Sequence, residues 1–92
     1  MVLSDSQIKE KLSALTGWEL VSGQIQKTYS LKDFQAAMKL VNQVAMIAEN
    51  ANHHPDIHIN YKRVTLVYST HSEGGLTEKD FAGAAMADRI AA

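Results

Sequence analysis

The alternation of apolar and polar residues divides the chain into three helical and four extended segments. The helix starts share one signature, in which a capping hydroxyl precedes an acid or amide by three residues and apolar residues flank both. The pairs are Ser4 with Gln7, Ser30 with Asp33, and Thr77 with Asp80. This signature predicts helices that begin near residues 5, 31 and 78.

The second predicted helix carries an apolar stripe at helical spacing. Its members are Phe34, Met38, Val41, Ala45 and Ala48, and we expect this stripe to be buried. The residue before a proline is disfavoured in helical geometry, so the helix should end at Pro55.

Alternating residues around this helix predict two hairpins. The first pairs Trp18–Val21 with Ile25–Leu31 around Ser22-Gly23, and the second pairs Ile57–Tyr61 with Val64–Ser69 around Lys62-Arg63, which is a poor turn sequence. The order is therefore α-β-β-α-β-β-α. It is typical of an α+β fold in which a four-stranded antiparallel sheet carries three helices on one face.

Size and composition narrow the class of protein. Ninety-two residues predict a single domain over 1–92, and a chain this short often gains stability by association. The absence of cysteine excludes disulfides and thiolate metal sites. No charged leader followed by an apolar run opens the chain, and no stretch is apolar enough to span a membrane, so we expect a cytoplasmic protein.

The charge balance argues against direct nucleic-acid binding. The chain has nine basic and ten acidic residues, for a formal net charge of -1. It has no stripe of lysine and arginine residues that could neutralise a row of phosphates. The candidate chemistry lies elsewhere, in histidines.

Three of the four histidines lie close together in the sequence. His53 and His54 follow the second helix, and His71 ends the fourth strand. Imidazoles titrate near neutrality, so two or three of them around a pocket suit general acid/base catalysis. If the helix persists to residue 52 or 53, Glu49 lies one turn before His53 on the stripe, where its carboxylate would face the core and orient the histidine.

A purely structural role and a metal-binding role also remain open for these histidines. Histidines before a proline stop suit the negative end of a helix dipole, and histidine is a common zinc ligand, although adjacent histidines converge poorly on one ion and HExxH is absent. His58, inside a strand, is expected at the surface. Asp80 is explained as the capping partner of Thr77, and Tyr61 as a core aromatic.

The spacing of these residues resembles the signature of the pterin-4a-carbinolamine dehydratases. It runs Glu49, three residues, His53-His54-Pro55, five residues, Tyr61, nine residues, His71, eight residues, Asp80. Gly17-Trp18, Lys32-Asp33-Phe34, Ser69-Thr70-His71 and Gly75-Leu76-Thr77 extend the resemblance over roughly residues 10 to 90.

The resemblance implies the same fold, assembly into a homo-oligomer (dimer or tetramer), and a hydro-lyase. Such enzymes dehydrate 4a-hydroxytetrahydropterins to quinonoid dihydropterins in tetrahydrobiopterin recycling, with no metal or organic cofactor. By position, His53 and His71 would transfer protons and His54 would help to hold the pterin. Asn52, Pro55 and the segment Ser69, Thr70, His71 and Ser72 would line the ring, with Glu49 and Asp80 in support.

One position departs from the pattern, and two other functions stay open. Many relatives carry an acid where this chain has Asn52, which would weaken binding but leave the proton-transfer residues intact. Animal members of the family also act as dimerisation cofactors for a homeodomain transcription factor. Val44 and Ile47, off the main stripe, could form an oligomer contact, but the sequence contains no recognisable determinant for a partner protein. A catalytically idle relative is the third possibility, and the complete histidine set argues against it.

Overall fold

The computed structural model describes all residues from 1 to 92. Its elements are helix α1 (Asp5–Ser13), strands β1 (Glu19–Val21) and β2 (Gln24–Ser30), helix α2 (Phe34–Ala51), strands β3 (Asp56–Asn60) and β4 (Arg63–Tyr68), a 3-10 turn (His71–Glu73), and helix α3 (Glu78–Ala91). The predicted α+β order α-β-β-α-β-β-α is confirmed.

The four strands form one antiparallel sheet in the order β1-β2-β4-β3. Ile25 pairs with Tyr68 across β2 and β4, and Ile57 pairs with Leu66 across β3 and β4. These residues point to one face because side chains alternate along a strand, and Ile25, Leu66 and Tyr68 are almost fully buried there. Helices α2 and α3 pack on that face of β4.

Two of the three predicted capping boxes are present. Ser4 and Gln7 cap α1 reciprocally, and Thr77 and Asp80 do the same for α3. The box predicted from Ser30 is wrong, because Ser30 still belongs to β2. Asp33 itself caps α2, accepting a hydrogen bond from the amide of Ala36, so the helix begins at residue 34 and not near 31.

The stripe predicted for α2 is wrong in its phase around the helix axis. The buried residues are Ala37, Leu40, Val44 and Ala48, whereas Phe34 and Ala45 are exposed. Apolar residues lie on several faces of this helix, so periodicity alone favoured a face next to the one that is buried. The face that packs on the sheet carries Ala37, Leu40, Val44 and Ala48. Val44 is therefore a core residue and not an exposed contact.

The hairpin turns show one confirmed and one misplaced prediction. Ser22 and Gly23 both have positive φ, as a two-residue turn between twisted strands requires. The second turn is Tyr61-Lys62 and not Lys62-Arg63. Tyr61 adopts a φ of 54° there and is 65% exposed, so its assignment to the core is also wrong.

A polar cluster ties α3 to the first hairpin beside the core. Asp88 accepts hydrogen bonds from Trp18 Nε1 at 3.1 Å, from Lys27 Nζ at 2.8 Å and from the Tyr29 hydroxyl. Partial burial opposes ionisation of Asp88, but the bonds from Lys27, Tyr29 and Trp18 outweigh it and lower the pKa of Asp88.

None of the three helices combines the length and the apolar character that crossing a membrane requires.

Candidate active site

The antiparallel register brings the predicted site residues to one end of the sheet. Asp56, at the start of β3, pairs with Val67 near the end of β4. The residues that follow α2 therefore lie beside those that follow β4. Because Ile25 pairs with Tyr68, Gln24 and the turn before it reach the same end.

His53 is held from two sides. The helix ends at Ala51, with Asn52 as a left-handed cap. His53 therefore lies just beyond the helix, with its side chain directed toward the protein interior. Its Nε2 lies 2.6 Å from Asp80 Oδ1, and its ring stacks on Tyr68 with centroids 6.0 Å apart and planes 23° apart. Only 12% of its side chain is exposed, and His53 lines a cleft.

Asp80 is fully buried and accepts hydrogen bonds from three groups. Oδ1 faces His53, while Oδ2 accepts from Thr70 Oγ1 at 2.8 Å and from the Thr77 amide at 3.0 Å. Every neighbour is a donor, which suits an acceptor-only carboxylate. His53 Nε2 must then donate, and the lone pair of the neutral ring lies on Nδ1. Asp80 is both a cap for α3 and the partner of His53, and its side chain is fully buried.

Glu49 does not face the core as predicted. The helix turns its carboxylate to solvent, where 72% of the side chain is exposed, and its Oε2 lies 3.1 Å from Nε2 of His54. His54 is itself 54% exposed. Glu49 therefore contacts His54 and not His53, through a solvent-screened pair worth at most about 1 kcal/mol.

His71 lies in the 3-10 turn after β4 and is exposed. Its Nε2 is 3.2 Å from Ser69 Oγ, and that hydroxyl is also 3.4 Å from Nε2 of Gln24. Thr70, which lies between Ser69 and His71 in the sequence, links the two histidine sites, because its hydroxyl donates a hydrogen bond to Asp80, the partner of His53.

Two clefts open at this end of the molecule. The His53 cleft, of about 150 Å³, is largely apolar and is lined by Ile47, Ala51, His53, Tyr68, Lys79, Ala82, Gly83 and Met86. The His71 cleft, of about 310 Å³, has no hydrophobic residue in its lining and is formed by Ser22, Gly23, Gln24, Ser69, Thr70, His71, Gly74 and Gly75. Asn52, His54, Pro55 and Ser72 line neither of them.

Tyr68 forms one wall of the His53 cleft and is not a base. Burial, followed by the nearby Asp80, raises the pKa of Tyr68 to about 12, so its hydroxyl keeps its proton at neutral pH. Gly83 leaves room for the ring, since a Cβ there would lie 2.6 Å from Tyr68 Cε1.

Several lining residues were not predicted as site residues. The Ser22-Gly23 turn was predicted only as a turn, and the β2–β4 register that carries Gln24 beside Ser69 is not visible in the sequence. Gly83 sits within α3, where nothing in the sequence marks its contact with Tyr68. His58 is exposed, as expected. No group of three histidine or carboxylate side chains is arranged to hold a metal ion.

Comparison with known proteins gives one consistent result. The family model for pterin 4 alpha carbinolamine dehydratase matches residues 1–90. Relatives assigned as pterin-4-alpha-carbinolamine dehydratases include one from Herpetosiphon aurantiacus, 48% identical over 97% of this chain and 93% of its own length. Another, from Chloroflexus aurantiacus, is 50% identical over 96% of this chain and 95% of its own.

Solved structures agree. A transcriptional coactivator/pterin dehydratase from Brucella melitensis superposes with a TM-score of 0.97 at 37% identity, covering all of both chains. A pterin dehydratase-like RuBisCO assembly factor of the alpha-carboxysome superposes with a TM-score of 0.66 over 80% of this chain and 86% of its own, at 19% identity, and shares the fold. The chain therefore belongs to the pterin-4a-carbinolamine dehydratase family, a family of hydro-lyases.

Proposed function

We propose that this protein removes water from 4a-hydroxytetrahydropterin to give quinonoid dihydropterin, by general acid/base catalysis at its histidines. The observation that carries the proposal is the arrangement of His53 on buried Asp80 and His71 on Ser69, at one end of the sheet, in a chain that matches the family over residues 1–90.

The reaction needs an acid and a base. The bond between C4a and the hydroxyl oxygen breaks, and a proton given to that oxygen lets it leave as water. The lone pair of N5 forms the new double bond to C4a, and the hydrogen on N5 passes to a base. Histidine suits both tasks near neutral pH.

His53 has the geometry of the base. Donation of its Nε2 hydrogen to Asp80 leaves the Nδ1 lone pair available, and the carboxylate stabilises the imidazolium that forms when a proton arrives. Stacking on Tyr68 holds the ring in one orientation, so no reorganisation accompanies the transfer.

His71 is the proposed partner on the acid side. It is exposed beside a polar cleft of about 310 Å³, whose hydroxyl and backbone groups suit the heteroatom edge of a pterin. His54, Asn52, Pro55 and Ser72 complete the proposed binding surface, since they lie in the loops that flank the two clefts. Asp80 holds His53, and Glu49 contacts only His54.

We extend the proposal to the protein's setting. The product is the form that a reductase returns to tetrahydropterin, so the enzyme would serve tetrahydrobiopterin recycling in the cytoplasm, as a dimer or tetramer. The acid/base step requires no cofactor.

The spectral conversion of freshly generated 4a-hydroxytetrahydropterin tests the proposal. We expect catalytic amounts of the protein to accelerate the conversion above its spontaneous rate. An unchanged rate across a range of protein concentrations would remove the proposed function.

A protein-binding role is a second candidate, supported by an exposed apolar face on α2. Phe34 is 49% exposed and Met46 is 67% exposed, and both line a shallow cleft on the helix. The Brucella melitensis protein bears the name of a coactivator as well as a dehydratase. Mass measurement by light scattering, with and without an amphipathic helical peptide, would detect such binding, and an unchanged mass would exclude it for that peptide.

A further inference from the structure

A chain of two hydrogen bonds runs from the first hairpin to His71. Gln24 begins β2 directly after the Ser22-Gly23 turn. Its side-chain Nε2 lies 3.4 Å from Ser69 Oγ, and Ser69 Oγ lies 3.2 Å from His71 Nε2. All three side chains line the His71 cleft, and Gln24 has no role in the proposed reaction so far.

The donor and acceptor capacities of these groups give the chain a direction. The amide nitrogen of Gln24 can only donate, so Ser69 Oγ accepts from it. A hydroxyl has one hydrogen to give, and of the two groups bonded to Ser69 Oγ only the ring nitrogen can accept it. A hydroxyl oxygen can also accept two hydrogen bonds, so the opposite direction requires Ser69 to turn its hydrogen out of the chain. With that hydrogen kept in the chain, Ser69 donates to His71 Nε2, and the hydrogen of the neutral imidazole lies on Nδ1.

We propose that Gln24 is a positioning residue that, through Ser69, holds neutral His71 in the Nδ1–H tautomer. Nδ1 is the ring nitrogen left to meet a ligand, since Nε2 is engaged by Ser69. Neutral His71 therefore has an N–H, and not a lone pair, available to a ligand.

This assignment deepens the proposed function and rests on it only where it concerns the reaction. The N–H of neutral His71 can donate a hydrogen bond to the oxygen of the departing hydroxyl but cannot take the N5 proton. Full transfer of a proton to that oxygen requires His71 in its imidazolium form. The base must then be another group, and the lone pair on His53 Nδ1 fits that role. The two histidines are thus given opposite tautomers, by Asp80 at one and by Ser69 at the other.

Nitrogen-15 NMR of the uncomplexed protein tests the tautomer without any reaction. The spectrum is recorded about two pH units above the usual histidine pKa of about 6.5, where the rings are neutral. A His71→Asn variant identifies the ring by its missing signals. We expect Nδ1 to appear protonated and Nε2 unprotonated in His71, and the opposite pattern would overturn the proposal.

Gln24→Glu tests the part played by Gln24. The new carboxylate has the same shape but can only accept, so it takes the Ser69 hydrogen and Ser69 Oγ must accept from His71. We expect His71 to change to the Nε2–H tautomer. Gln26→Glu is the matched control, because it adds the same charge two residues along β2 and leaves Ser69 alone. Ser69→Ala should also remove the preference of His71 for the Nδ1–H tautomer, because it removes the hydrogen bond to Nε2. This variant replaces Gln24→Glu in the test if Gln24→Glu does not fold.

Activity provides a second and separable readout. General acid/base groups contribute about 10²- to 10⁴-fold, so Gln24→Glu should lower kcat by about tenfold or more. It should cause no further loss in a protein that already carries His71→Gln, because the two act through one ring.

The two proposals can fail separately. If Gln24→Glu leaves the His71 tautomer unchanged, the positioning role is refuted even in an active enzyme. If the tautomers follow the prediction but no variant affects dehydration, the proposed chemistry fails while the hydrogen-bond assignment stands.

Discussion

Replacing Asp80 by asparagine should destabilise the protein through a mismatch of hydrogen bonds. Asp80 is fully buried and accepts from His53 Nε2, Thr70 Oγ1 and the Thr77 amide. An asparagine of the same shape can keep its oxygen toward the two threonines. Its NH₂ group then faces a donor on His53, which must move its hydrogen from Nε2 to Nδ1.

The size of the effect follows from these three contacts. A hydrogen bond to a charged group contributes about 1.5 to 3 kcal/mol and a neutral one about 0.5 to 1.5, so the two retained bonds each lose about 1 kcal/mol. The tautomer change at His53 adds a cost of similar size. We expect a total of about 3 kcal/mol, out of about 5 to 14 for a domain of this length.

Urea unfolding monitored by tryptophan fluorescence measures this loss. Trp18 is the single tryptophan and is 6% exposed, so it reports global unfolding. Glu78→Gln is the matched control, because it removes a carboxylate from the same first turn of α3, where the side chain is 70% exposed beside Lys11. We expect the control to lose no more than about 1 kcal/mol. Equal stability of the two variants would refute this role of Asp80.

Two further predictions concern the stability of the fold. Gly83→Ala places a Cβ 2.6 Å from Tyr68 Cε1, and overpacking of about 1 to 3 kcal/mol should exceed the helix-propensity gain of about 1 kcal/mol; a higher urea midpoint than in the wild type would contradict this. The pKa of Asp88 is lower in the folded than in the unfolded state, so the stability that it contributes is present above its unfolded pKa of about 3.9 and is lost as the pH falls through the folded value. Asp88→Asn should therefore flatten the acid limb of stability against pH, and an unchanged limb would exclude this source.

The element order could be predicted because its signals are local. Capping boxes at Ser4 and Thr77 and the Ser22-Gly23 turn depend on residues a few positions apart. The wrong predictions, the start of α2 and its buried face, concern features that tertiary packing determines. Leu31 bonds the backbone of Lys62 and so extends the sheet connection beyond Ser30, and α2 buries a face that its apolar surface does not single out.

The candidate site shows the same division. Sequence spacing identified His53, His71 and Asp80, but it could not show which carboxylate meets which histidine. Glu49 is close to His53 in sequence, yet helix phase turns it to solvent, while Asp80 reaches His53 across 27 positions through the packing of α3. Gln24 was missed for the same reason, because strand register and not sequence distance carries it to Ser69.

The rate of water elimination by a His71→Ala variant tests the central claim most directly. The variant is compared with wild type and with His58→Ala, which removes an exposed histidine from β3 away from both clefts. Loss of one acid/base group should lower turnover by about 10²-fold or more, with unfolding by urea unchanged. Wild-type turnover in the His71→Ala protein would contradict the account, as would an equal loss in the His58→Ala control.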